Sequence, residues 1–270
     1  APAGSGLATF RVCAPVAPRE FHAVTAASRP FERIACPVCD GTAFAALFEK
    51  QGEPFVRCEA CGLVLINPRP VFGVVADTYD AAYSEGYIRK ADKKRARCAR
   101  WVARIARRYV PRGRWLDVGC SAGFVVEAAA AAGFDAWGVE LEAGAVAFAR
   151  DILKLSQVSQ GTLEAQRYPS AHFDVLSMYD VIEHVPDLNA TVAELKRLLA
   201  PGGVIEIRTP DVGHFTTPRR LDTWREIKPS EHLYYFDRHT LPRLFARHGL
   251  RLRESRWMLK SALDHVYEHA

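Results

Sequence analysis

The sequence predicts an α/β protein built on a doubly wound, mostly parallel sheet, with a small module ahead of it. From Arg114 onward, short apolar runs alternate with stretches of helical periodicity. Such alternation produces a parallel sheet with helices on both faces. Before this region, two Cys-x-x-Cys pairs are separated by 18 residues. Together these observations predict a Rossmann-like main domain preceded by a compact module that is held by cysteines.

Length and composition fit one large domain and one small one. The 270 residues are 49% apolar, and no run approaches the roughly 18 apolar residues of a membrane-spanning helix. We expect a leader over residues 1–30, the cysteine module over 31–70, a helical lid or linker over 71–112 and the main domain over 113–270. The leader is rich in Ala, Pro and Arg and lacks the apolar core of a secretory signal, so a transit peptide and a flexible segment both stay open.

Four of the seven cysteines form the two pairs, and their spacing is typical of a structural zinc ribbon. Four thiolate ligands leave no coordination position for water, so the ion would be structural. A redox site would need one pair rather than two, and an odd cysteine total without a signal peptide favours a reducing cytoplasm over disulfides. The ribbon could also contact nucleic acid or protein. The expected ligands are Cys36, Cys39, Cys58 and Cys61.

Two features connect the ribbon to the main domain. Residues 63–70 predict a strand that ends at two prolines. After it, Tyr79, Tyr83 and Tyr87 recur every four residues, which predicts a helical stripe. This stripe is either a packed face or a lid over a ligand.

A basic helix is expected next. From Arg89 to Arg108 the chain holds ten Lys or Arg and one acid, a local charge of +9 against +5 for the whole chain. Apolar residues at helical spacing predict that one face packs on the core and that the basic side chains project outward. The basic face is either solvated or attracts an anionic small-molecule acceptor or partner. Without interleaved exposed aromatics, nucleic acid is disfavoured.

A glycine loop follows the first strand of the main domain, in the sequence Asp-Val-Gly-Cys-Ser-Ala-Gly over residues 117–123. Glycines there let the backbone approach a ligand before the helix begins. A dinucleotide site would have Gly-x-Gly-x-x-Gly to seat a pyrophosphate, whereas this loop has Gly-x-x-x-Gly after an acid. The carboxylate of Asp117 would repel a pyrophosphate and suits a cationic ligand that carries an ammonium and a sulfonium.

A second acid, Glu140, ends the next strand, 23 residues after Asp117. A carboxylate at this position can accept both hydroxyls of a ribose, or it can cap the helix that follows.

These motifs, in this order, resemble the class I S-adenosylmethionine-dependent methyltransferases over residues 114–250. The chain looks most like the bacterial subgroup with an N-terminal four-cysteine zinc ribbon, whose members modify sugars, quinones and secondary metabolites. The resemblance implies transfer of a methyl group from S-adenosylmethionine to a small-molecule acceptor. An RNA methyltransferase, or a ribbon interaction module with a degenerate enzyme domain, is the alternative.

Carried over residue by residue, the resemblance implies a complete cofactor site. The residues concerned are Asp117, Gly119, Cys120 and Gly123 around the methionine moiety, Glu140 and Leu141 at the ribose, Thr162 and Leu163 at the adenine, and Asp180 behind the fourth strand. The C-terminus departs from the pattern, because the family adds a seventh strand where residues 261–270 predict a helix.

Removal of a proton from the acceptor requires a base. His232 is the first candidate, and Glu231 and His184 come next, because each is expected beyond the carboxyl end of a strand. Alternatively, the Glu183–His184 pair fixes a loop and His232 binds substrate without taking a proton.

Overall fold

The computed structural model describes residues 30–71 and 91–270. The leader of residues 1–29 and the tyrosine stripe of Tyr79, Tyr83 and Tyr87 lie outside the described residues. In the described part, none of the helices is long and apolar enough to cross a membrane. The strands are β1 (Phe31–Glu32), β2 (Phe44–Lys50), β3 (Glu53–Cys58), β4 (Val64–Ile66), β5 (Arg69–Pro70), β6 (Arg114–Val118), β7 (Asp135–Glu140), β8 (Val158–Gln160), β9 (Phe173–Tyr179), β10 (Leu199–Pro210), β11 (Tyr234–Tyr235), β12 (Leu250–Ser255) and β13 (Ala262–His269).

Five α-helices occur in the same described ranges. They are α1 (Ala91–Arg108), α2 (Phe124–Ala131), α3 (Ala143–Ala147), which continues as a π-helical segment over Phe148–Ile152, α4 (Leu188–Leu198) and α5 (Thr240–Arg247).

The main sheet has seven strands in the order β12-β13-β10-β9-β6-β7-β8. Every neighbouring pair from β8 to β10 is parallel, whereas β13 is antiparallel to both β10 and β12. The strand order reverses beside β6, between β7 and β9, and in such sheets a ligand binds at the carboxyl ends of the strands around that point. The predicted α/β, Rossmann-like, mostly parallel sheet is confirmed.

Helices cover both faces of this sheet. One face packs on α1, α2 and α3 through a cluster that includes Trp115, Val175 and Val126. The other packs on α4 and α5 through a cluster that includes Leu116 and Leu176. Adjacent residues of one strand thus enter opposite clusters, as the pleat of a strand requires. This is the doubly wound arrangement that the sequence predicts.

The C-terminal segment is a strand, so the helix expected over residues 261–270 is wrong. β13 lies between β10 and β12, with Ile207 opposite His265 and Leu252 opposite Tyr267. Val266 and Tyr267 are both fully buried although they are adjacent. A strand covered on both faces shows no polar–apolar alternation, which removes the pattern that distinguishes a strand from a helix.

Helix α1 buries Cys98, Val102 and Ile105, as its spacing predicts, but one basic side chain does not project outward. Arg104 forms salt bridges with Glu206 and Asp264, and both acids have fully buried side chains. Arg208 and Arg256 also bind Asp264, at 2.7 and 3.1 Å. A buried acid needs such partners because an unpaired charge inside a protein is costly. The expectation of an outward-facing basic helix is therefore wrong for Arg104.

The N-terminal residues form a second, four-stranded sheet in the order β11-β4-β3-β2. The hairpin of β2 and β3 and the strand β4 come from the cysteine module, whereas β11 comes from the segment that follows β10. Leu65 of β4 pairs with Tyr234 of β11, and the backbone N–H of Ile66 donates to Leu233 O at 3.1 Å. The cysteine module therefore shares a sheet with the C-terminal third of the chain.

Candidate functional site

The glycine loop joins β6 to α2 and needs glycine at two positions. Gly119 has φ +68°, and a Cβ there would lie 2.4 Å from Val181 Cγ2. Gly123 has φ +84° and begins α2, and its Cβ would lie 2.8 Å from Leu155 Cδ1. Positive φ values favour glycine, and a side chain at either position would force the neighbouring Val181 or Leu155 side chain to move. The loop therefore packs tightly between the segment after β9 and the segment after α3.

Cys120 lies in the middle of this loop with its side chain turned into the protein. The residue is 4% exposed, and a Cβ on Gly138 of β7 would lie 2.7 Å from its sulfur. Burial raises the pKa of the thiol well above its ordinary value. Cys120 therefore faces β7 with its sulfur and has only its backbone to offer to a ligand.

Asp117 is buried at the carboxyl end of β6, 3% exposed. The hydroxyl of Ser177 donates to its Oδ1 at 2.5 Å, and the same hydroxyl accepts the indole N–H of Trp115 at 2.8 Å. Burial raises the pKa of Asp117 to about 8, and the charges of Glu140 and Glu206 add to this effect. The charged groups that act on this carboxyl group are thus acids.

Glu140 ends β7 and is held by backbone N–H groups. Its Oε2 accepts from Ser121 N at 2.7 Å, and its Oε1 accepts from Leu141 N at 2.7 Å and Glu142 N at 3.0 Å. The carboxylate therefore joins the glycine loop to the turn after β7. The cap of the next helix is a different residue, Glu142, which accepts from the N–H groups of Gly144 and Ala145.

The other expected cofactor residues surround the same edge of the sheet. Leu141, next to Glu140, is 42% exposed, and Leu163 after β8 is 4% exposed. Thr162 is exposed, and its Oγ1 accepts from Ala165 N at 3.3 Å. Asp180 is exposed directly after β9 and has φ +55°.

Two of the three expected catalytic residues, His184 and His232, lie together beside Glu183, whereas Glu231 contributes only its backbone carbonyl. The rings of His184 and His232 are 4.5 Å apart between centroids and nearly perpendicular. His184 Nδ1 donates to the backbone carbonyl of Glu231 at 2.9 Å, whereas the Glu231 residue itself is exposed. Glu183 is 1% exposed, and its Oε1 lies 4.0 Å from His184 Nε2. The acid that accompanies the histidines is therefore Glu183.

Burial governs the ionisation of this group. It lowers the pKa of His184 to about 4 and that of His232 to about 2, and it raises the pKa of Glu183 to about 8. The sequence pattern indicates only a loop-fixing role for Glu183. The signal that could have found it is its position three residues after Asp180, within the same loop after β9.

The four cysteines of the N-terminal module converge as their spacing predicts. Sulfur atoms of Cys36 and Cys61, and of Cys39 and Cys58, are 3.5 Å apart, and all four sulfurs lie within 4.8 Å of one another. A tetrahedral Zn–S₄ centre with bonds of about 2.3 Å has sulfur–sulfur separations of about 3.8 Å. A Cβ on Gly41 would lie 3.3 Å from two of these sulfurs. The cluster thus has the size of a zinc site.

The strand order, the glycine loop and the acids at the ends of β6 and β7 define an α/β protein with a ligand site at the carboxyl edge of its parallel sheet. A family described as methyltransferase domain matches residues 88–255, which is more than half of the chain. The chain belongs to this family.

Curated relatives match a shorter part. The ubiquinone biosynthesis O-methyltransferase of Thiobacillus denitrificans is 38% identical over 99 residues, which are 35% of this chain and 43% of that protein. The protein of the same name from Aromatoleum aromaticum is 36% identical over 101 residues, 36% of this chain and 43% of that protein. The match thus spans less than half the length of these relatives.

Solved structures share the fold. A TehB-like SAM-dependent methyltransferase from Corynebacterium glutamicum aligns with TM-score 0.53 and 19% identity, covering 71% of this chain and 100% of that one. Mitomycin 7-O-methyltransferase MmcR aligns with TM-score 0.50 and 14% identity, covering 64% of this chain and 54% of that one. At these identities the likeness extends to the fold alone.

Proposed function

We propose that this chain binds S-adenosylmethionine at the carboxyl edge of its main sheet and transfers the methyl group to a hydroxyl oxygen of a small-molecule acceptor. The observation that carries the proposal is Asp117, a buried carboxyl group beside a glycine loop with acids as its charged neighbours. The family match and the O-methyltransferase names of the curated relatives support the reaction type.

A cationic ligand would supply the positive charge that stabilises the buried carboxylate of Asp117. A carboxylate that is buried without a positive partner is destabilised, and an ammonium group of the ligand would supply that partner. The single hydroxyl of Ser177 orients the carboxylate without neutralising it. A pyrophosphate would instead add negative charge beside Asp117 and Glu140. This difference favours an adenosyl cation over a nicotinamide dinucleotide.

The remaining cofactor contacts follow from the order of the strands. Glu140 accepts three hydrogen bonds from backbone N–H groups. With its remaining lone pairs it would accept hydrogen bonds from the ribose hydroxyls. Leu141 would lie beside the ribose, Thr162 and Leu163 would flank the adenine, and Asp180 would close the site. Because Gly119 packs closely against Val181, the loop after β9 would lie next to the methionine moiety of the bound cofactor.

Methyl transfer is an in-line displacement at a carbon that the sulfonium already activates. The protein therefore has to align donor and acceptor and exclude water. The acceptor hydroxyl must also lose its proton. We place this step at the face formed by His184 and His232, with the exposed Glu231 at its rim. The acceptor is a sugar, quinone or secondary metabolite, and a nucleotide or carrier attached to it would meet the basic face of α1.

Calorimetric titration with S-adenosylmethionine tests the proposal, with NAD as the comparison ligand. We expect the adenosyl ligand to bind and to raise the melting temperature, and NAD to do neither. Asp117→Ala and Glu140→Ala should abolish binding, whereas Asp151→Ala, which removes an exposed acid from the segment after α3, should retain it. Equal binding by all variants, or binding of NAD in place of S-adenosylmethionine, would refute the proposal.

We also propose that Cys36, Cys39, Cys58 and Cys61 hold one structural zinc ion, as in the zinc-ribbon subgroup. The size of the cluster and the small space beside Gly41 support this assignment. Metal analysis of the purified chain should give zinc that is lost in Cys58→Ser and retained in Cys98→Ala, a buried cysteine outside the cluster. Retention of all zinc in Cys58→Ser would contradict the assignment.

A further inference from the structure

Three side chains of metal-ligand type meet behind the carboxyl edge of the sheet. Glu183 and His184 lie in the loop after β9, and His232 lies just before β11. One ligand atom from each of these residues lies within 4.8 Å of the other two. This group is remote in sequence from the cysteine module and differs from it in chemistry, because it offers two imidazoles and one carboxylate.

A hydrogen bond fixes which ring nitrogen of His184 carries the proton. His184 Nδ1 bonds a backbone carbonyl, that of Glu231, and a carbonyl only accepts, so Nδ1 bears the proton and Nε2 has the lone pair. Such backbone carbonyls commonly orient the imidazoles that bind metals. The buried Nδ1 of His232 has no hydrogen-bond partner in the described part of the chain, and a lone pair on this nitrogen would be available to a cation.

Glu183 adds a second buried atom that lacks a partner. Thr209 donates to its Oε2 at 2.9 Å, whereas its Oε1 is buried without a hydrogen bond among the described residues. Glu183 is 1% exposed and His232 is 2% exposed. Two buried acceptors without donors are unfavourable together, and a cation bound between them would remove this cost.

The separations suit a common centre. Three atoms no more than 4.8 Å apart have a point within about 2.8 Å of all of them, and bonds to a metal are about 2.1 Å long. Shifts of less than about 1 Å would thus complete the coordination. We propose that Glu183, His184 and His232 bind a divalent transition-metal ion and leave at least one coordination position open.

The composition of the site points to the kind of metal. Two histidines and one carboxylate with an open position are found around catalytic zinc and around non-haem iron, whereas magnesium and calcium take oxygen ligands. A buried thiolate is not among the ligands. A metal ion at this site should therefore differ from one in the four-cysteine cluster in its preference among metals and in its absorption spectrum.

The position of the site indicates its use, and this step rests on the proposed function. Val181, two residues before Glu183, contacts Gly119 of the cofactor loop. An acceptor hydroxyl bound to the ion would lose its proton to solvent more readily, because the metal stabilises the oxyanion. That oxygen would then attack the methyl carbon of S-adenosylmethionine, the carbon–sulfur bond would break, and its electron pair would stay on sulfur. The acceptor class is thus a compound with a hydroxyl group that can bind a metal.

The metal content of the complete chain tests the site. The protein is depleted of metal, supplied with excess Co²⁺, freed of unbound ion and analysed for bound cobalt. Glu183→Gln and His232→Asn should each bind one equivalent less than the wild type, and His239→Asn, which changes an exposed histidine, should bind as much as the wild type. Thr209→Val removes the hydrogen bond to Glu183. In this variant the cobalt ion at the Glu183 site should bind at least about tenfold more weakly than in the wild type.

The spectrum separates this site from the cysteines. Thiolate-to-cobalt absorption should be unchanged in Glu183→Gln, because the lost ion has no sulfur ligand, and circular dichroism should show that the variant is folded. Equal cobalt content in wild type, Glu183→Gln and His232→Asn would overturn the proposal. Binding of S-adenosylmethionine is measured separately, so failure of the metal site and failure of the proposed function give different results.

Discussion

The backbone of Gly119 contacts the side chain of Val181 so closely that a Cβ on Gly119 would lie 2.4 Å from Val181 Cγ2 and 3.4 Å from Val181 Cβ. This contact joins the two loops that carry the proposed site, one after β6 and the other after β9. A change on either side of it should therefore disturb cofactor binding.

Gly119→Ala should weaken binding of S-adenosylmethionine at least tenfold and cost about 1–3 kcal/mol of unfolding free energy, because it adds a steric clash to a strained φ. Gly133→Ala is the matched control, since Gly133 has φ +90° and nothing within 4 Å of its added Cβ. It should cost about 1 kcal/mol and leave binding intact. Calorimetric titration and chemical denaturation measure both quantities.

The double variant Gly119→Ala, Val181→Ala should recover part of the lost affinity, because the remaining Cβ of residue 181 would be at ordinary contact distance. An affinity equal to that of Gly119→Ala alone would show that the contact is not the cause.

Affinity for S-adenosylmethionine should rise with pH up to about pH 8. Burial raises the pKa of Asp117 to about 8 in the free protein, and a cationic ligand favours its ionised form, so binding below this pH releases a proton. The rise should approach tenfold per pH unit. Titration in buffers of different ionisation enthalpy measures the released proton, and Asp117→Asn should release none from this group.

The raised pKa of Asp117 should make the ligand-free protein less stable as pH rises, which is opposite to the trend in cofactor affinity. Because the folded pKa lies above the ordinary value of about 3.9, Asp117 contributes stability below that value and loses it as pH rises through about 8. Asp117→Asn should flatten this part of the pH–stability curve. An unchanged curve would mean that other groups dominate the pH range.

Arg104→Met should lower the free energy of unfolding by about 3 kcal/mol, since removal of one partner leaves buried acids less well compensated. Glu206 and Asp264 would be left with Arg208, Arg256 and the hydroxyl of Tyr179. Arg100→Met, on the exposed face of the same helix, should change stability by no more than about 0.5 kcal/mol. Urea denaturation of the two variants makes the comparison, and equal effects would contradict it.

Loss of the proposed zinc should unfold the chain in one transition. The cysteine module shares a sheet and both of its apolar clusters with the main domain, so the module has no core of its own. In Cys58→Ser, circular dichroism and tryptophan fluorescence should report the same, lowered midpoint, and Cys98→Ala should keep the thiolate cluster intact. Two separated transitions would show that the module unfolds independently.

Much of the fold was predictable because its strands and helices have clear local signals. The alternation from Arg114 onward indicates the doubly wound sheet, and the cysteine spacing indicates the four-sulfur cluster. The strand β13 was not predictable because both of its faces are buried and include the polar residues Asp264 and His265, which the interior accepts only where partners such as Arg208 arrive from other elements. Pairings of that kind depend on tertiary contacts and leave no local pattern.

The candidate site was predictable to a similar degree. Residues in the glycine loop and at the ends of the first strands lie at the expected edge because their positions follow from strand order. Glu183 was assigned only a loop-fixing role, since its relation to His232 depends on a segment 49 residues further along the chain. Such convergence of distant segments is decided by packing, and spacing gives no indication of it.

The pairing of Leu65 with Tyr234 also sets the order of events during synthesis. The four-stranded sheet cannot be completed until residue 235 has left the ribosome, so the edge of β4 stays unpaired while most of the chain is translated. Contacts of such long sequence separation form slowly because the intervening chain must first be ordered. During that delay the strand edge is exposed to other nascent chains. The two Cys-x-x-Cys turns are local in sequence and are the part of the module that can form early.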